Sequence, residues 1–243
     1  MEKIKKELVN FKTIAIYGAM GTGKTSLAYT LIDELKKYKK TVYFFNHPRP
    51  EMIEALGYEN IDSLERLEDI QDCVLYLDEP QITLPLYNKK ANRIISQICS
   101  LSRQLDITLI ISTSDTRVFT KANEAFFDTW IVKDLDYDMV KNGSKIKKIM
   151  QKNAKFDAAG LRLKNNEFLF ETRNHSRLNG LHAFTEVSCF NKKHSTPYRP
   201  ETANKIETAN KVPTRIETAN EKNTEISATL QIQNREKLLK NEN

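Results

Sequence analysis

Gly18, Gly23, Lys24 and Thr25 fill every fixed position of G-x-x-x-x-G-K-[ST] within the stretch IYGAMGTGKTSLAY, residues 16–29. Glycines let the backbone curl until successive N–H groups point inward, and a helix N-terminus then closes an anion-binding nest. Gly18, Ala19, Gly21, Thr22, Gly23, Lys24, Thr25 and Ser26 would cradle a polyphosphate. Lys24 reaches the β- and γ-phosphates, and the Thr25 hydroxyl is placed to ligate Mg²⁺. At average residue usage a chain of this length matches the pattern by chance roughly once in a hundred. Here the match also lies between an apolar run, TIAIY, and a segment with Leu27, Leu31 and Leu35 four residues apart. That is a strand, a turn and a helix, and the reading is a nucleoside triphosphate site with ATP as its ligand.

A second constellation follows. VLYLDE, residues 74–79, is an apolar strand ending in two acids. Such a strand delivers Asp78 to the Mg²⁺ shell beside Thr25, and Glu79 next to it can polarise the attacking water as general base. An acidic turn ending a strand has the same composition. Behind a complete P-loop the pair points to an enzyme that hydrolyses its nucleotide. A third polar group, STSD at 112–115, ends another apolar run. Thr113 and Ser114 are the candidates for touching the γ-phosphate or the water. Arg103, Arg117 and Arg93 are candidates for an arginine that stabilises phosphoryl charge from a neighbouring subunit, although such an arginine is more often a surface charge.

The elements that must position these groups are legible. Strands are expected at 13–17, 41–45, 73–77, 107–111 and 129–132, and helices at 26–35, 51–56, 63–70 and 88–105. The run HPRP, 47–50, breaks the chain, and Ser63 caps the helix after it. Strands alternating with helices, and too uniformly apolar for one-sided burial, predict an α/β fold with a mainly parallel sheet covered on both faces. Right-handed crossovers then bring the strand C-termini to one edge, where the P-loop and the acids meet. The expected architecture is a P-loop NTPase of the RecA-like (ASCE) type, with a strand added between the two Walker motifs.

Beyond residue 135 the pattern changes. Residues 137–155 read as a helix interrupted at Asn142-Gly143, and 160–171 as a hairpin turning at Asn165-Asn166. From 197 the chain becomes repetitive, with Glu-Thr-Ala-Asn at 201–204, 207–210 and 217–220 at irregular spacing. The expected organisation is an ATPase core at 1–135, a basic α+β extension at 136–196 and a largely disordered tail at 197–243.

The 243-residue chain has a net charge of +6, and residues 141–164 hold eight basic side chains against the single acid Asp157. Such a run neutralises nucleic-acid phosphates or forms a solvated helix face. Cys73, Cys99 and Cys189 form no C-x-x-C pair, so reduced and mostly buried thiols are expected rather than zinc or disulfides. No apolar stretch reaches 18 residues and no signal-peptide core follows the first residues, so a cytoplasmic protein without membrane insertion is expected.

The segments YLDEP, SLSRQLDITLIISTSDTR, DTWIVKD and KNGSKIKKI resemble the HerA–FtsK superfamily of DNA-pumping ATPases, in the branch encoded by archaeal viruses and plasmids. The resemblance covers about residues 10–150 and extends to EFLFETR and HSTPYR. It implies a ring, a hexamer in the family, that threads double-stranded DNA, with an arginine completing each site from the neighbour. The basic run 141–164 then becomes a candidate DNA-contacting or subunit-contacting surface, with Lys145, Lys147, Lys148 and Lys152 as the candidate DNA contacts. One departure stands out: the superfamily usually ends this strand with Thr-Gln, and here the pair is Thr113-Ser114. Ser114 is too short to hold water in the same manner, so either Thr113 takes the role or the sensor has moved. The expected function is a DNA-translocating or genome-packaging motor. An ATPase switch in replication initiation or partition is the alternative, and a small-molecule P-loop kinase a third.

Overall fold

The computed structural model describes residues 1–39, 41–84, 89–119, 121–136, 144–152, 155–157, 160–173 and 175–185. Cys189, the 137–143 part of the expected helix and the Glu-Thr-Ala-Asn tail lie outside them. In chain order the elements are α1 (Glu2–Glu7), β1 (Thr13–Tyr17), α2 (Lys24–Leu35), β2 (Val42–Phe45), α3 (Pro50–Ala55) and β3 (Glu59–Ile61). They continue with α4 (Leu64–Glu68), β4 (Val74–Asp78), α5 (Pro80–Thr83), α6 (Lys89–Gln104), β5 (Thr108–Thr113), α7 (Lys121–Glu124) and β6 (Thr129–Val132). The last are β7 (Leu135–Asp136), α8 (Ser144–Gln151), β8 (Phe156–Asp157), β9 (Gly160–Leu161), β10 (Glu167–Thr172) and β11 (Gly180–Ala183).

Eight strands form one sheet in the order β11-β10-β6-β1-β5-β4-β2-β3. The run from β6 to β3 is parallel throughout, and β10 and β11 add antiparallel at the β6 edge. Alternate residues of β1 feed two cores. Ile14 and Ile16 meet Leu27, Leu31 and Leu35 of α2 on one face. Ala15 and Tyr17 meet Ile95 and Ile98 of α6 and Ile146 and Ile149 of α8 on the other. A period-two strand with both faces apolar needs helices on both sides, and it has them. The P-loop NTPase fold is thus present, with the β1, β4 and β5 C-termini on one edge.

Three expectations change. The three-residue β3 was not anticipated, because Glu59-Asn60-Ile61 carries no apolar run and is a strand only through parallel pairing with β2. Ser112 and Thr113 lie inside β5 rather than beyond it, and both are buried. The 160–171 hairpin does not form. β9 pairs with β7 and β8 in a separate three-stranded sheet, while β10 pairs with β6 and β11. The physical reason is the β6 edge. An unpaired, buried strand edge leaves backbone donors and acceptors unsatisfied, and Phe168, Leu169 and Phe170 of β10 cover it while packing into both cores. Of the segment after residue 135, β10 and β11 thus continue the core sheet, and β7, β8 and β9 do not.

Candidate nucleotide-hydrolysing site

The P-loop leaves β1 and enters α2 through Gly23, which has φ 82° at the helix N-cap. Glycine is required there twice over, by the left-handed backbone and by the Asn165 carbonyl 3.1 Å from where a Cβ would stand. Gly18 is held by close approach instead: a Cβ would lie 2.6 Å from Lys133 Cβ and 2.9 Å from Thr22 Oγ1. Lys133 is fixed by its own backbone, whose N–H donates to the Tyr17 carbonyl at 2.8 Å, so it cannot retreat. Gly18→Ala is expected to force the loop open at about 1–3 kcal/mol, weakening ATP binding by about tenfold. A nucleotide titration checks it, and unchanged affinity would mean that the loop adapts without cost.

Lys24 is buried on the first turn of α2. Its ammonium donates to the Ala19 carbonyl at 3.1 Å and pairs with Glu79 Oε1 at 2.8 Å. The Thr25 hydroxyl sits 3.3 Å from Asp78 Oδ1. Asp78 Oδ1 also accepts from Tyr76 Oη at 2.8 Å and Ser112 Oγ at 2.6 Å. Burial and the neighbouring Asp78 carboxylate push the Tyr76 phenol well up, so it remains a donor. A hydroxyl and one carboxylate form an incomplete metal shell by themselves. They suit Mg²⁺, which keeps waters and takes substrate phosphate oxygens as its remaining ligands.

Glu79 leaves β4 with φ 46° and ψ 58°, a left-handed conformation costing a non-glycine residue roughly 1–2 kcal/mol. That turn swings its side chain off the strand and towards Lys24, and Pro80 then starts α5 at N1. Glu79 Oε2 accepts from the Ser114 backbone N–H at 2.9 Å, the Ser114 hydroxyl at 3.1 Å and the Gln81 side-chain amide. Thr113 donates its hydroxyl to Gln81 Oε1 at 2.7 Å and accepts from the Asp115 N–H at 2.9 Å. So Lys24, Thr25, Asp78, Glu79, Thr113 and Ser114 converge within one hydrogen-bonded cluster. Sequence reasoning missed Gln81. Its only signal was an amide two residues past the acid pair, on a helix started by proline.

Lys133 was also missed. It is fully buried beside the P-loop, with its ammonium on the Asn165 carbonyl and 4.8 Å from the centroid of the Phe184 ring. Nothing local in VKDLD marks it, because its partners are more than thirty residues away.

The arginine candidates separate. Arg117, exposed just past β5, pairs with Asp115 at the site edge. Arg103 is exposed near the C-terminus of α6, and its charge acts on Asp128, whose carboxylate accepts from Lys12 N–H at the start of β1. It therefore stands at the opposite sheet edge and cannot serve its own P-loop. Arg93 is exposed on α6. The basic run is partly spent within the fold. Lys145 and Lys152 each pair with Glu171 at 2.9 Å, Lys155 with Glu167 at 2.8 Å and Arg162 with Asp136 at 2.8 Å. Burial raises the Glu171 pKa, but its bonds from Lys152 and Lys145 outweigh burial and hold it below the usual carboxylate range. Lys147 and Lys148, on the same helix, are half-buried and exposed. The thiols of Cys73 and Cys99 are buried and pushed up to about 12 by desolvation.

A parallel sheet with a P-loop behind its central strand and an acid pair at the end of a nearby strand defines a P-loop ATPase. The profile of the ATPase family associated with various cellular activities (AAA) matches residues 14–135, and the chain belongs to that family. No curated protein sequence matches the chain significantly. Among solved structures, the fold is similar to the pCW3 conjugation coupling protein TcpA in its monomer form with ATPγS. There the TM-score is 0.51 at 16% identity, over 82% of this chain and 66% of that one. It is similar to EssC (ATPases 2 and 3) from Geobacillus thermodenitrificans, with a TM-score of 0.52 at 10% identity, over 83% of this chain and 44% of that one. It is also similar to the genome packaging NTPase B204 from Sulfolobus turreted icosahedral virus 2 in complex with sulfate. That likeness has a TM-score of 0.50 at 16% identity, over 73% of this chain and 97% of the other. The chain thus spans under two thirds of the TcpA and EssC chains. No helix among the described residues is long and apolar enough to cross a membrane.

Proposed function

We propose that this ATPase is a DNA-translocating or genome-packaging motor of the HerA–FtsK superfamily, in the branch of archaeal viruses and plasmids. It would work in the cytoplasm on double-stranded DNA as a homo-oligomeric ring. The observation that carries the hydrolytic part of the reading is the Lys24–Glu79 pair at 2.8 Å, which ties the phosphate-binding lysine to the proposed base. Across this pair the two charges neutralise each other. The β- and γ-phosphates of ATP compete for the Lys24 ammonium, and Glu79 Oε1 is released to take a water. Hydrolysis is therefore gated by occupancy of the site. Glu79 then accepts a proton as the water oxygen bonds to the γ-phosphorus and the bond to the β–γ bridging oxygen breaks, leaving ADP and phosphate. Thr25 and Asp78 would hold Mg²⁺, which neutralises phosphate charge when bound.

The exposure of Arg93, Arg103 and Arg117 supports completion of the site by a neighbour. An arginine acting in trans must leave its own subunit's surface, and assembly would order catalysis around the ring. Arg103, far from its own P-loop, fits that role only across an interface. For DNA, the internal pairing of Lys145 and Lys152 leaves Lys147 and Lys148 as the better-placed pair on α8. Likeness to proteins that package genomes or couple conjugation supports DNA as the substrate of the motion.

The test is ATP turnover with and without long linear duplex DNA. Stimulation that grows with duplex length is expected and falls with salt, because phosphate contacts release counterions. Stimulation by one specific origin sequence would replace the motor by a replication or partition switch. Turnover that ignores DNA and rises with a small acceptor would make the chain a kinase.

A further inference from the structure

The Glu79 carboxylate is held asymmetrically. Oε1 faces Lys24, the partner that nucleotide removes, while Oε2 collects three donors, two from Ser114 and one from Gln81. The direction in which Oε1 points is thus set by what grips Oε2. Ser114 directly follows Thr113, the last residue of β5. Gln81 comes from α5, whose start is fixed by Pro80 and whose end is tied to β2 by the Asn46 amide donating to the Thr83 carbonyl at 3.2 Å. The Gln81 amide has a donor at one end and an acceptor at the other. Its Oε1 takes the Thr113 hydroxyl at 2.7 Å, so Thr113, Gln81 and Glu79 form a chain of hydrogen bonds with one direction. The Thr113 hydroxyl proton is committed to Gln81, and its oxygen is met by the Asp115 N–H at 2.9 Å.

We infer that Gln81 is a positioning residue for hydrolysis: it relays the end of β5 to Glu79 and sets the aim of the other carboxylate oxygen, Oε1, towards the attacking water. The inference rests on Glu79 as the base. Thr113 then acts through Gln81, and movement of the β5 end on binding a phosphate is transmitted to Glu79 as a change of aim. Leucine at position 81 would fill the same space without either bond, leaving Ser114 to hold the carboxylate alone.

The experiment compares wild type with Gln81→Leu, Gln81→Glu, Thr113→Val, the double variant Gln81→Leu/Thr113→Val and Glu79→Gln, as full chains, in steady-state ATP hydrolysis and nucleotide titration across pH. For Gln81→Leu, kcat should fall about 10- to 100-fold with KM for ATP nearly unchanged. Gln81→Glu keeps the shape but faces one carboxylate with another. Its loss should be larger near neutrality and relieved as pH falls, once the introduced carboxyl is protonated and donates again. Thr113→Val should add little to Gln81→Leu, since both break one relay. Wild-type kcat in Gln81→Leu, or losses that simply multiply in the double variant, would overturn the inference. If Glu79→Gln is inactive while Gln81→Leu is normal, only the relay fails. If Glu79→Gln turns over like wild type, the base assignment beneath it fails as well.

Discussion

Glu79→Gln is expected to cut ATP turnover by about 10² to 10⁴, the range for removing a general base, while nucleotide binding survives or tightens. Binding should survive because Lys24 and the P-loop amides are untouched. It should tighten a few-fold because the wild-type Lys24 ammonium must first leave Glu79 Oε1, to which it is bound at 2.8 Å. A neutral amide holds it far less. The variant should therefore accumulate in the ATP-bound state. Turnover and affinity measured on the same preparation decide the matter. Near-normal turnover would remove Glu79 from the chemistry. A tenfold loss of affinity would recast it as a group that builds the pocket.

Lys24→Met should be the most damaging single change. Losing a charge that stabilises the transferred phosphoryl group is expected to lower turnover by about 10² to 10³ or more. The apoprotein should suffer too. The Lys24 and Glu79 side chains are 5% and 12% exposed, and removing one partner of a buried pair typically costs about 3–5 kcal/mol. Ser114 and Gln81 continue to donate to Glu79, which brings the expectation to about 2–3 kcal/mol. That corresponds to a Tm lower by roughly 4–12 °C. Lys24→Met combined with Glu79→Gln removes both charges, so the double variant should be more stable than Lys24→Met alone while remaining inactive. Thermal unfolding of the four proteins forms the cycle. A double variant no better than the lysine single would show that the pair contributes nothing beyond packing.

The two perturbations also separate the parts of the proposed cycle. A protein trapped with ATP by Glu79→Gln would reveal whether DNA binding and subunit assembly follow nucleotide binding or await hydrolysis. Lys24→Met should fail at the first step, and any DNA affinity it retains would belong to the basic surface alone.

How much of this was legible in the sequence depended on how local the chemistry is. The phosphate-binding pattern is eight consecutive residues, Gly18 to Thr25, running from the end of a strand into a helix, so spacing alone marked it. Asp78 and Glu79 were found because a fully buried strand must be apolar until it reaches the sheet edge, where acids can meet a metal and water. The two-sided parallel sheet followed from the uniform apolarity of its central strands. Everything that depended on partners distant in the chain was decided by the tertiary structure. Glu79 meets Ser114 across two adjacent strands, and only that neighbourhood gives Gln81 a carboxylate on one side and Thr113 on the other. β10 abandoned its local hairpin because the β6 edge offered backbone partners and two apolar faces at once. Lys145 and Lys152 looked like free charges until β10 brought Glu171 to them. Composition records that a charge exists. Whether it remains available is settled by long-range packing, where burial makes an unpaired ion costly and pairing within the fold removes it from the surface.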